Sequence, residues 1–139
     1  MRIMVCGSIG FGGIDEIKRY YSLLRDKGFD TVDHISDRRM DYSNVQDFRG
    51  KRSLSRRIVE HDLQYVSKAD LLLVLSNGPS YGTGIEIHEA KRIGKTVVFL
   101  AREPVPTPWP VNFSDFVVHS DEELFSLLGK LKKRRARGH

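Results

Sequence analysis

Two carboxylates in this chain lie on either side of an apolar run that is typical of a buried strand. The run is Leu71 to Leu75, and Asp62 lies in a helical segment before it. Glu86 follows it, after a loop of turn-forming residues. Paired carboxylates in different environments break glycosidic bonds, because one attacks or stabilises the anomeric carbon while the other handles protons. Glu86 and Asp62 are therefore candidate catalytic residues.

A glycine-rich turn and a serine form the candidate binding site for a phosphate. The turn follows the first apolar run, Arg2 to Cys6, and its glycines let backbone N–H groups approach a ligand. Ser80 adds a hydroxyl near the start of the helix that carries Glu86, where N–H groups favour an anion. The glycine spacing does not fit the dinucleotide fingerprint or a P-loop. The candidate binding residues in these two loops are Gly7, Ser8, Ile9, Gly10, Gly12, Gly13, Ser80, Gly82 and Gly84.

Strand and helix patterns alternate along the chain. Strands are predicted at residues 2–6, 29–35, 71–75, 96–101 and 116–119. Helices are predicted at residues 14–27, 53–68, 83–92 and 121–131. Such alternation requires right-handed crossovers and a sheet covered on both faces. We expect a single α/β domain with a doubly wound (Rossmann-like or flavodoxin-like), five-stranded, mainly parallel sheet, in which the glycine-rich turn and the Ser80 loop share one edge.

Turn and cap signals mark the connections between these elements. The polar segment from Ser36 to Arg52 is predicted to be one long loop, and the prolines between 104 and 110 predict an extended, irregular crossing. Ser53 or Ser55 is expected to cap the helix before the third strand. Ser120 to Glu123 has the pattern of a capping box for the last helix.

The positive charge of the chain is concentrated at its end. The formal net charge is +5, but six of the 23 basic residues lie between Lys130 and Arg137, where no acid occurs. We expect a domain at residues 1–131 and a basic, mobile tail at residues 132–139, with nucleic acid an unlikely partner.

The cysteine, histidine and apolar content of the chain excludes several other classes of protein. The single cysteine, Cys6, rules out an internal disulfide, and the five histidines show no metal-ligand spacing, so neither a metal nor another cofactor is expected. The apolar runs are far shorter than a membrane-spanning helix, and the N-terminus does not resemble a signal peptide. These features predict a cytoplasmic protein.

Three motifs, in this order, resemble the 2′-deoxynucleoside 5′-phosphate N-hydrolases, a family of the nucleoside 2-deoxyribosyltransferase superfamily. They are Cys6-Gly7-Ser8-Ile9, Glu60-His61-Asp62-Leu63 followed by Ala69-Asp70, and Pro79-Ser80-Tyr81-Gly82-Thr83-Gly84-Ile85-Glu86. The resemblance implies hydrolysis of the N-glycosidic bond of (deoxy)nucleoside 5′-monophosphates, which releases free base and (deoxy)ribose 5-phosphate. It also implies a homodimer.

The resemblance assigns roles to the candidate residues. Glu86 is implied as the nucleophile that attacks C1′, and Asp62 as the group that positions the sugar or relays protons. His34 is implied to lie near the base. The glycine-rich turn and Ser80 are implied to hold the 5′-phosphate, which agrees with the phosphate-binding site predicted from the residues of these two loops.

The chain departs from the family at two places. Met4 stands where the family usually has a tyrosine close to the sugar, which leaves open whether ribose or deoxyribose is preferred. The proline-rich stretch does not match the hydrolases, in which a serine of the neighbouring subunit completes the phosphate site. The alternatives are a deoxyribosyltransferase, a nucleotide-binding module without turnover and, as a weaker rival, a cytokinin-type phosphoribohydrolase, whose double glycine before Gly82-Thr83 is missing here.

Overall fold

The computed structural model describes residues 1–10, 12–37, 42 and 44–138; Phe11 of the glycine-rich turn, residues 38–41 and 43 of the predicted loop, and His139 of the tail lie outside this description. The strands are β1 (Arg2–Cys6), β2 (Asp30–Thr31), β3 (Leu71–Leu75), β4 (Thr96–Leu100) and β5 (Phe116–Val118). They form one parallel sheet in the order β2-β1-β3-β4-β5. The predicted fold class is confirmed.

Helices cover both faces of this sheet. They are α1 (Gly13–Asp26), α2 (Arg52–Lys68), α3 (Tyr81–Arg92), α4 (Trp109–Asn112) and α5 (Asp121–Arg137). Leu73 of β3 packs in a core with α1 and α5, whereas its neighbour Leu72 packs in a second core with α2 and α3. All of β3 is buried because alternate side chains enter opposite cores. No helix in the described part of the chain is long and apolar enough to cross a membrane.

The strand order reverses between β1 and β3, and this reversal positions the site. From β1 the chain moves first to one side, at β2, and then crosses to the other side, at β3. Cys6 at the end of β1 pairs with Val74 near the end of β3. The loops that leave these two strands therefore face each other across the crevice in which open α/β sheets bind ligands.

Three connections differ from the sequence predictions. The second strand covers only Asp30–Thr31 and not residues 29–35. Lys51, rather than Ser53 or Ser55, is the N-cap residue of α2, and the Ser55 hydroxyl donates to the Lys51 carbonyl at 2.8 Å. A one-turn helix, α4, interrupts the proline-rich crossing, because Pro108 already has the helical backbone conformation at its N-cap.

The last helix has the predicted start but a later end. The Ser120 hydroxyl accepts from Glu123 N–H at 3.1 Å, as the capping pattern predicts. The helix ends at Arg137 and not near residue 131, because the intervening lysines and arginines are good helix formers and favour a helix C-terminus. Two of these residues contact the domain: Lys132 Nζ donates to the Gly28 carbonyl at 3.0 Å and Arg135 to Asp70 at 2.9 Å.

Candidate active site

A pocket of about 490 Å³ opens at the carboxyl edge of the sheet, between the loops that leave β1 and β3 and the helices α2 and α3. Nine of the twelve predicted site residues line it: Gly7, Ser8, Ile9, Gly10, His34, Asp62, Ser80, Gly82 and Glu86. Gly12, Gly13 and Gly84 are not among its lining residues. The fold therefore brings both candidate carboxylates and most of the candidate binding residues to one place.

The carboxyl group of Glu86 lies at the inner wall of this pocket. It is 9% exposed, and Cys6 Sγ lies 3.8 Å from its Oε2. Burial, with a further contribution from the charge of Asp62, raises the pKa of Glu86 to about 8, although the Cys6 contact acts in the opposite direction. These surroundings favour the protonated form of Glu86 near neutral pH. A side chain on Gly82 would come within 4.0 Å of Oε1, so the glycine leaves the space beside that oxygen open.

Asp62 is held in place by its neighbour in α2. His61 Nδ1 lies 3.0 Å from Asp62 Oδ1, and His61 Nε2 lies 3.2 Å from Asp37 Oδ2. The His61 ring also packs against Tyr65, with 4.6 Å between the ring centroids. These contacts restrain the Asp62 carboxylate.

One ring nitrogen of His34, one carboxyl oxygen of Asp62 and one of Glu86 lie within 4.8 Å of one another. Of the described residues, these three form the group that comes closest to a metal-ligand set. One bridging water is enough to carry a proton between groups at this spacing. Any cation bound there would occupy the atoms that proton transfer requires.

Asn77 joins the two loops that flank the pocket. Its Oδ1 accepts from Ser8 N–H at 2.7 Å, and its Nδ2 donates to the Ser8 carbonyl at 3.1 Å. A Cβ atom on Gly13 would lie 1.8 Å from the Ser8 carbonyl oxygen, and one on Gly7 would lie 3.0 Å from Asn77 Oδ1. The absence of side chains at Gly7 and Gly13 therefore leaves room for the two hydrogen bonds between Asn77 and Ser8. The sequence analysis assigned no role to Asn77, although its position just after β3 is a usable signal.

The N-terminus of α3 presents polar groups to the pocket. The Ser80 hydroxyl accepts from Thr83 N–H at 3.2 Å, and the Ser80 carbonyl accepts from Gly84 N–H. The N–H groups of Tyr81 and Gly82 lie in the first turn and have no partner within the helix. Thr83 Oγ1 is buried at the pocket, and it is the one buried side-chain polar atom without a partner in the described structure. This end of α3 offers several donors to an anion.

Two residues near the site differ from expectation. Met4 is fully buried in the core against α2 and α3 and is not among the pocket-lining residues. Tyr21 of α1 has its hydroxyl 2.8 Å from Nδ1 of His34. Its helical spacing from Ile17 and Leu24 predicts a buried side chain, but periodicity carries no information about where a hydroxyl group points.

Solved structures share this fold. A conserved protein from Enterococcus faecalis matches with a TM-score of 0.70 and 22% identity, over 96% of this chain and 98% of that protein. A 2-deoxyribosyltransferase from Bacillus psychrosaccharolyticus matches with a TM-score of 0.63 and 14% identity, over 86% and 87% of the two chains. A CMP N-glycosidase from Clostridium botulinum matches with a TM-score of 0.54 and 19% identity, over 93% and 98%.

Sequence comparison gives relatives with related names, and no protein-family model matches the chain. The 5-hydroxymethyl-dUMP N-hydrolases of Rattus norvegicus and Mus musculus are each 28% identical to this chain over 102 residues, which is 72% of the chain. The match spans 60% of the rat protein and 57% of the mouse protein. The sequence matches to named N-hydrolases, together with the fold shared with a 2-deoxyribosyltransferase and an N-glycosidase, confirm that this chain resembles these proteins.

Proposed function

We propose that this protein hydrolyses the N-glycosidic bond of (deoxy)nucleoside 5′-monophosphates, with Glu86 as nucleophile. The observation that carries the proposal is the buried carboxyl group of Glu86 beside Asp62, in a pocket that also presents the donor groups of the α3 N-terminus. The similar proteins, which are N-hydrolases and an N-glycosidase of nucleotides, support the same chemistry.

The first step transfers the sugar to Glu86. A Glu86 carboxylate oxygen forms a bond to C1′ as the bond from C1′ to the base nitrogen breaks, and the base leaves with the electron pair. The base then needs a proton, and the proton that Glu86 carries in the resting enzyme can supply it. Asp62, within 4.8 Å of Glu86, is the group placed to relay that proton. Charge and atoms balance, because Glu86 loses one proton and the base gains one.

The second step releases the sugar phosphate. Water attacks C1′ of the glycosyl-enzyme ester, and its oxygen becomes the new hydroxyl at C1′. The bond between C1′ and Glu86 breaks, and the proton lost by water returns to Glu86 through Asp62. The resting state, in which the two carboxyl groups share one proton, is restored, because the proton that left with the base is replaced by one from water.

This sharing gives the reaction a defined pH dependence. We expect kcat/KM to fall as the pH rises through about 8, because the free enzyme then loses the proton that the leaving base requires. Rates for one nucleotide measured between pH 6 and 10 test this expectation. An increase through the same range would mean that Glu86 reacts only as a preformed carboxylate and that the base obtains its proton elsewhere.

The α3 N-terminus favours a phosphorylated substrate. The Ser80 oxygen already accepts from Thr83 N–H, so its O–H proton is available to a ligand. A 5′-phosphate can accept from this hydroxyl, from Thr83 Oγ1 and from the free amides of the first turn. Such a set of donors at a helix N-terminus stabilises a negatively charged phosphate more than a neutral 5′-hydroxyl, and we therefore propose a nucleotide rather than a nucleoside as substrate.

Exposed apolar side chains beside the pocket support the homodimer that the resemblance implies. Tyr81 and Ile85 lie one turn apart on α3 and are 96% and 57% exposed. Val59 of α2 is 52% exposed, and all three side chains border the same pocket. We propose that this rim contacts a second copy of the chain. Sedimentation of the purified protein and of Tyr81→Ser tests it, since a monomer at micromolar concentration would contradict the proposal.

The activity is tested on a panel of ribo- and deoxyribonucleoside 5′-monophosphates, with free base as the readout. The proposal predicts base release from at least one nucleotide by the wild-type protein and none by Glu86→Gln. Absence of release from every nucleotide by folded protein would overturn it. Base exchange on unphosphorylated nucleosides would indicate a transferase, and tight nucleotide binding in calorimetry without release would indicate a binding module.

A further inference from the structure

The hydroxyl of Tyr21 fills a gap in the sheet where β1 and β2 separate. Val32 N–H donates to the Ile3 carbonyl at 2.8 Å, and the next bond of a regular parallel ladder would join Val5 N–H to the Val32 carbonyl. Instead, Val5 N–H donates to Tyr21 Oη at 3.0 Å, and Oη lies 2.9 Å from the Val32 carbonyl oxygen. The hydroxyl replaces one backbone bond of the ladder, which accounts for the shortness of β2.

This position leaves Tyr21 Oη with one proton to donate and three neighbours able to accept it: the Val32 carbonyl at 2.9 Å, His34 Nδ1 at 2.8 Å and, farther away, the Val5 carbonyl at 3.5 Å. Val32 is 8% exposed, and its carbonyl can only accept. His34 Nδ1, at 2.8 Å, can either accept or donate. Buried carbonyls are almost always paired, so the Tyr21 proton goes to a carbonyl, of which Val32 is the nearer, and Nδ1 then donates to the remaining lone pair of Oη.

The protonation states of both side chains agree with this arrangement. Burial raises the pKa of the Tyr21 phenol well above its ordinary value, so the hydroxyl keeps its proton. Burial also lowers the pKa of His34, despite the opposing charges of Asp62 and Asp33, so the ring is neutral at pH 7. A neutral imidazole has one N–H only, and with that proton at Nδ1 the other nitrogen, Nε2, has a bare lone pair.

We propose that Tyr21 is a positioning residue that fixes His34 as the Nδ1–H tautomer, so that Nε2 accepts a hydrogen bond from an N–H or O–H group of the substrate. Nε2 is the ring nitrogen left to face the pocket, since Nδ1 is bonded to Tyr21. The pocket then prefers a ligand with a donor at this point and rejects one that presents only an acceptor. The identity of the ligand as a nucleotide rests on the proposed function, whereas the tautomer does not.

The tautomer is measured directly by ¹⁵N NMR of the imidazole rings, with His34→Gln used to assign the His34 signals. We expect a protonated Nδ1 and an unprotonated Nε2 in the wild-type protein at pH 7. Tyr21→Phe removes the acceptor of the Nδ1 proton, and the proton should move to Nε2. Tyr20→Phe is the matched control, because it removes the hydroxyl of an equally buried tyrosine in the same helix that bonds Asp121 instead.

The NMR outcome decides the proposal even if the enzyme proves inactive. Protonated Nε2 in the wild-type protein would overturn it, and this result needs no variant that might fail to fold. An unchanged His34 tautomer in folded Tyr21→Phe would also overturn it. A wild-type protein that releases no base, but that shows the Nδ1–H tautomer and its loss in Tyr21→Phe, would contradict the proposed function and leave the role of Tyr21 supported.

Binding then shows which part of the substrate donates. In a Glu86→Gln background, which prevents turnover, we expect Tyr21→Phe to weaken nucleotide binding about tenfold, because Nε2–H would oppose a substrate donor. The same loss for deoxyribose 5-phosphate alone would identify a sugar hydroxyl as the donor. A loss confined to whole nucleotides would identify the base. Equal affinity of the Tyr21→Phe and Tyr20→Phe proteins for all these ligands would contradict the assigned acceptor role of Nε2.

Discussion

Two carboxyl groups lie near opposite ends of β3, and their surroundings change their ionisation in opposite directions. Asp70, just before the strand, accepts from Arg2 N–H at 2.7 Å and from Arg135 at 2.9 Å. Burial opposes its ionisation, but the bond from Arg2 and the charges of Arg135 and the N-terminus outweigh burial and lower its pKa. Near the far end of the strand, burial and a second carboxylate raise the pKa of Glu86 to about 8.

The difference separates a stabilising carboxylate from a reactive one. Asp70 has a donor for each oxygen, and each donor comes from an element that must be held in place: β1 and α5. Glu86 has only a thiol contact and a like-charged neighbour, and it faces a pocket. A carboxyl group kept neutral by its surroundings stores a proton at neutral pH, which is the property that acid–base chemistry requires.

The largest effect expected from this comparison is the loss of activity in Glu86→Gln. We expect base release to fall at least about a thousandfold, because the amide cannot form the glycosyl ester. Glu89→Gln, in the same helix but at a carboxyl group bonded to Arg92, is the matched control and should keep the wild-type rate. The rate of base release under single-turnover conditions, measured for both variants, tests this expectation. More than a tenth of the wild-type rate in Glu86→Gln would remove Glu86 as the nucleophile.

The same substitution should stabilise the fold at high pH. Since the native pKa of Glu86, about 8, is above the unfolded value of 4.5, native Glu86 contributes stability below pH 4.5, and this contribution is lost as the pH rises to 8. Glutamine does not ionise, so the variant does not lose this stability as the pH rises. At pH 9, Glu86→Gln should therefore raise the free energy of unfolding by on the order of a few kcal/mol. Urea unfolding of both proteins at pH 5 and pH 9 measures it. A stability difference that does not grow with pH would mean that native Glu86 ionises normally.

At the other end of β3, replacing the carboxylate should lower the free energy of unfolding instead of raising it. Asp70→Asn should lower the free energy of unfolding by about 1 to 3 kcal/mol at pH 7, because it weakens two charge-assisted bonds. Since the native pKa of Asp70 is lowered, its contribution is present above pH 3.8 and is lost as the pH falls below that value. The variant and the wild type should therefore converge in acid, as followed by urea unfolding between pH 2.5 and 7.

Two further measurements complete the comparison at Asp70. Asp30→Asn, at an exposed position on β2, should leave the unfolding midpoint unchanged. Asp70→Asn should keep the wild-type kcat per folded molecule, because Asp70 lies at the edge of the sheet away from the pocket. A decrease in kcat with unchanged stability would show that the two ends of β3 are not separate in function.

Much of the carboxyl edge of the sheet was predictable from the sequence. Apolar runs alternating with helical stripes predicted the parallel sheet, and the loops after β1 and β3 were expected to share one edge. Asp62 and Glu86 were expected to meet because the elements that carry them flank β3 in the sequence. Both inferences depend on patterns within short segments, which tertiary contacts rarely override when the run is as apolar as β3.

The features missed by the sequence analysis depend on contacts between distant segments. Asn77 is 69 residues from Ser8, and Arg135 is 65 residues from Asp70. Tyr21 was identified as a core residue from its helical spacing, and it is fully buried. Its function in the sheet depends on the direction of one O–H group, which no periodicity encodes. The opposite ionisation of Asp70 and Glu86 has the same origin, since the burial and the neighbouring groups that shift each pKa come from other elements of the fold.

The smallest expected effect concerns Ser80, whose side chain either binds the ligand or only caps α3. Ser80 and Ser120 are both N-cap residues that accept from the N–H three positions later, at 3.2 and 3.1 Å. Replacing either by alanine should cost about 1 kcal/mol of stability. Only Ser80 lies at the pocket, so only Ser80→Ala should raise KM for a nucleoside 5′-monophosphate, by about tenfold for the loss of one hydrogen bond to a charged group. Equal KM values for the two variants, at equal loss of stability, would limit Ser80 to capping α3 and would leave Thr83 and the first-turn amides as the phosphate donors.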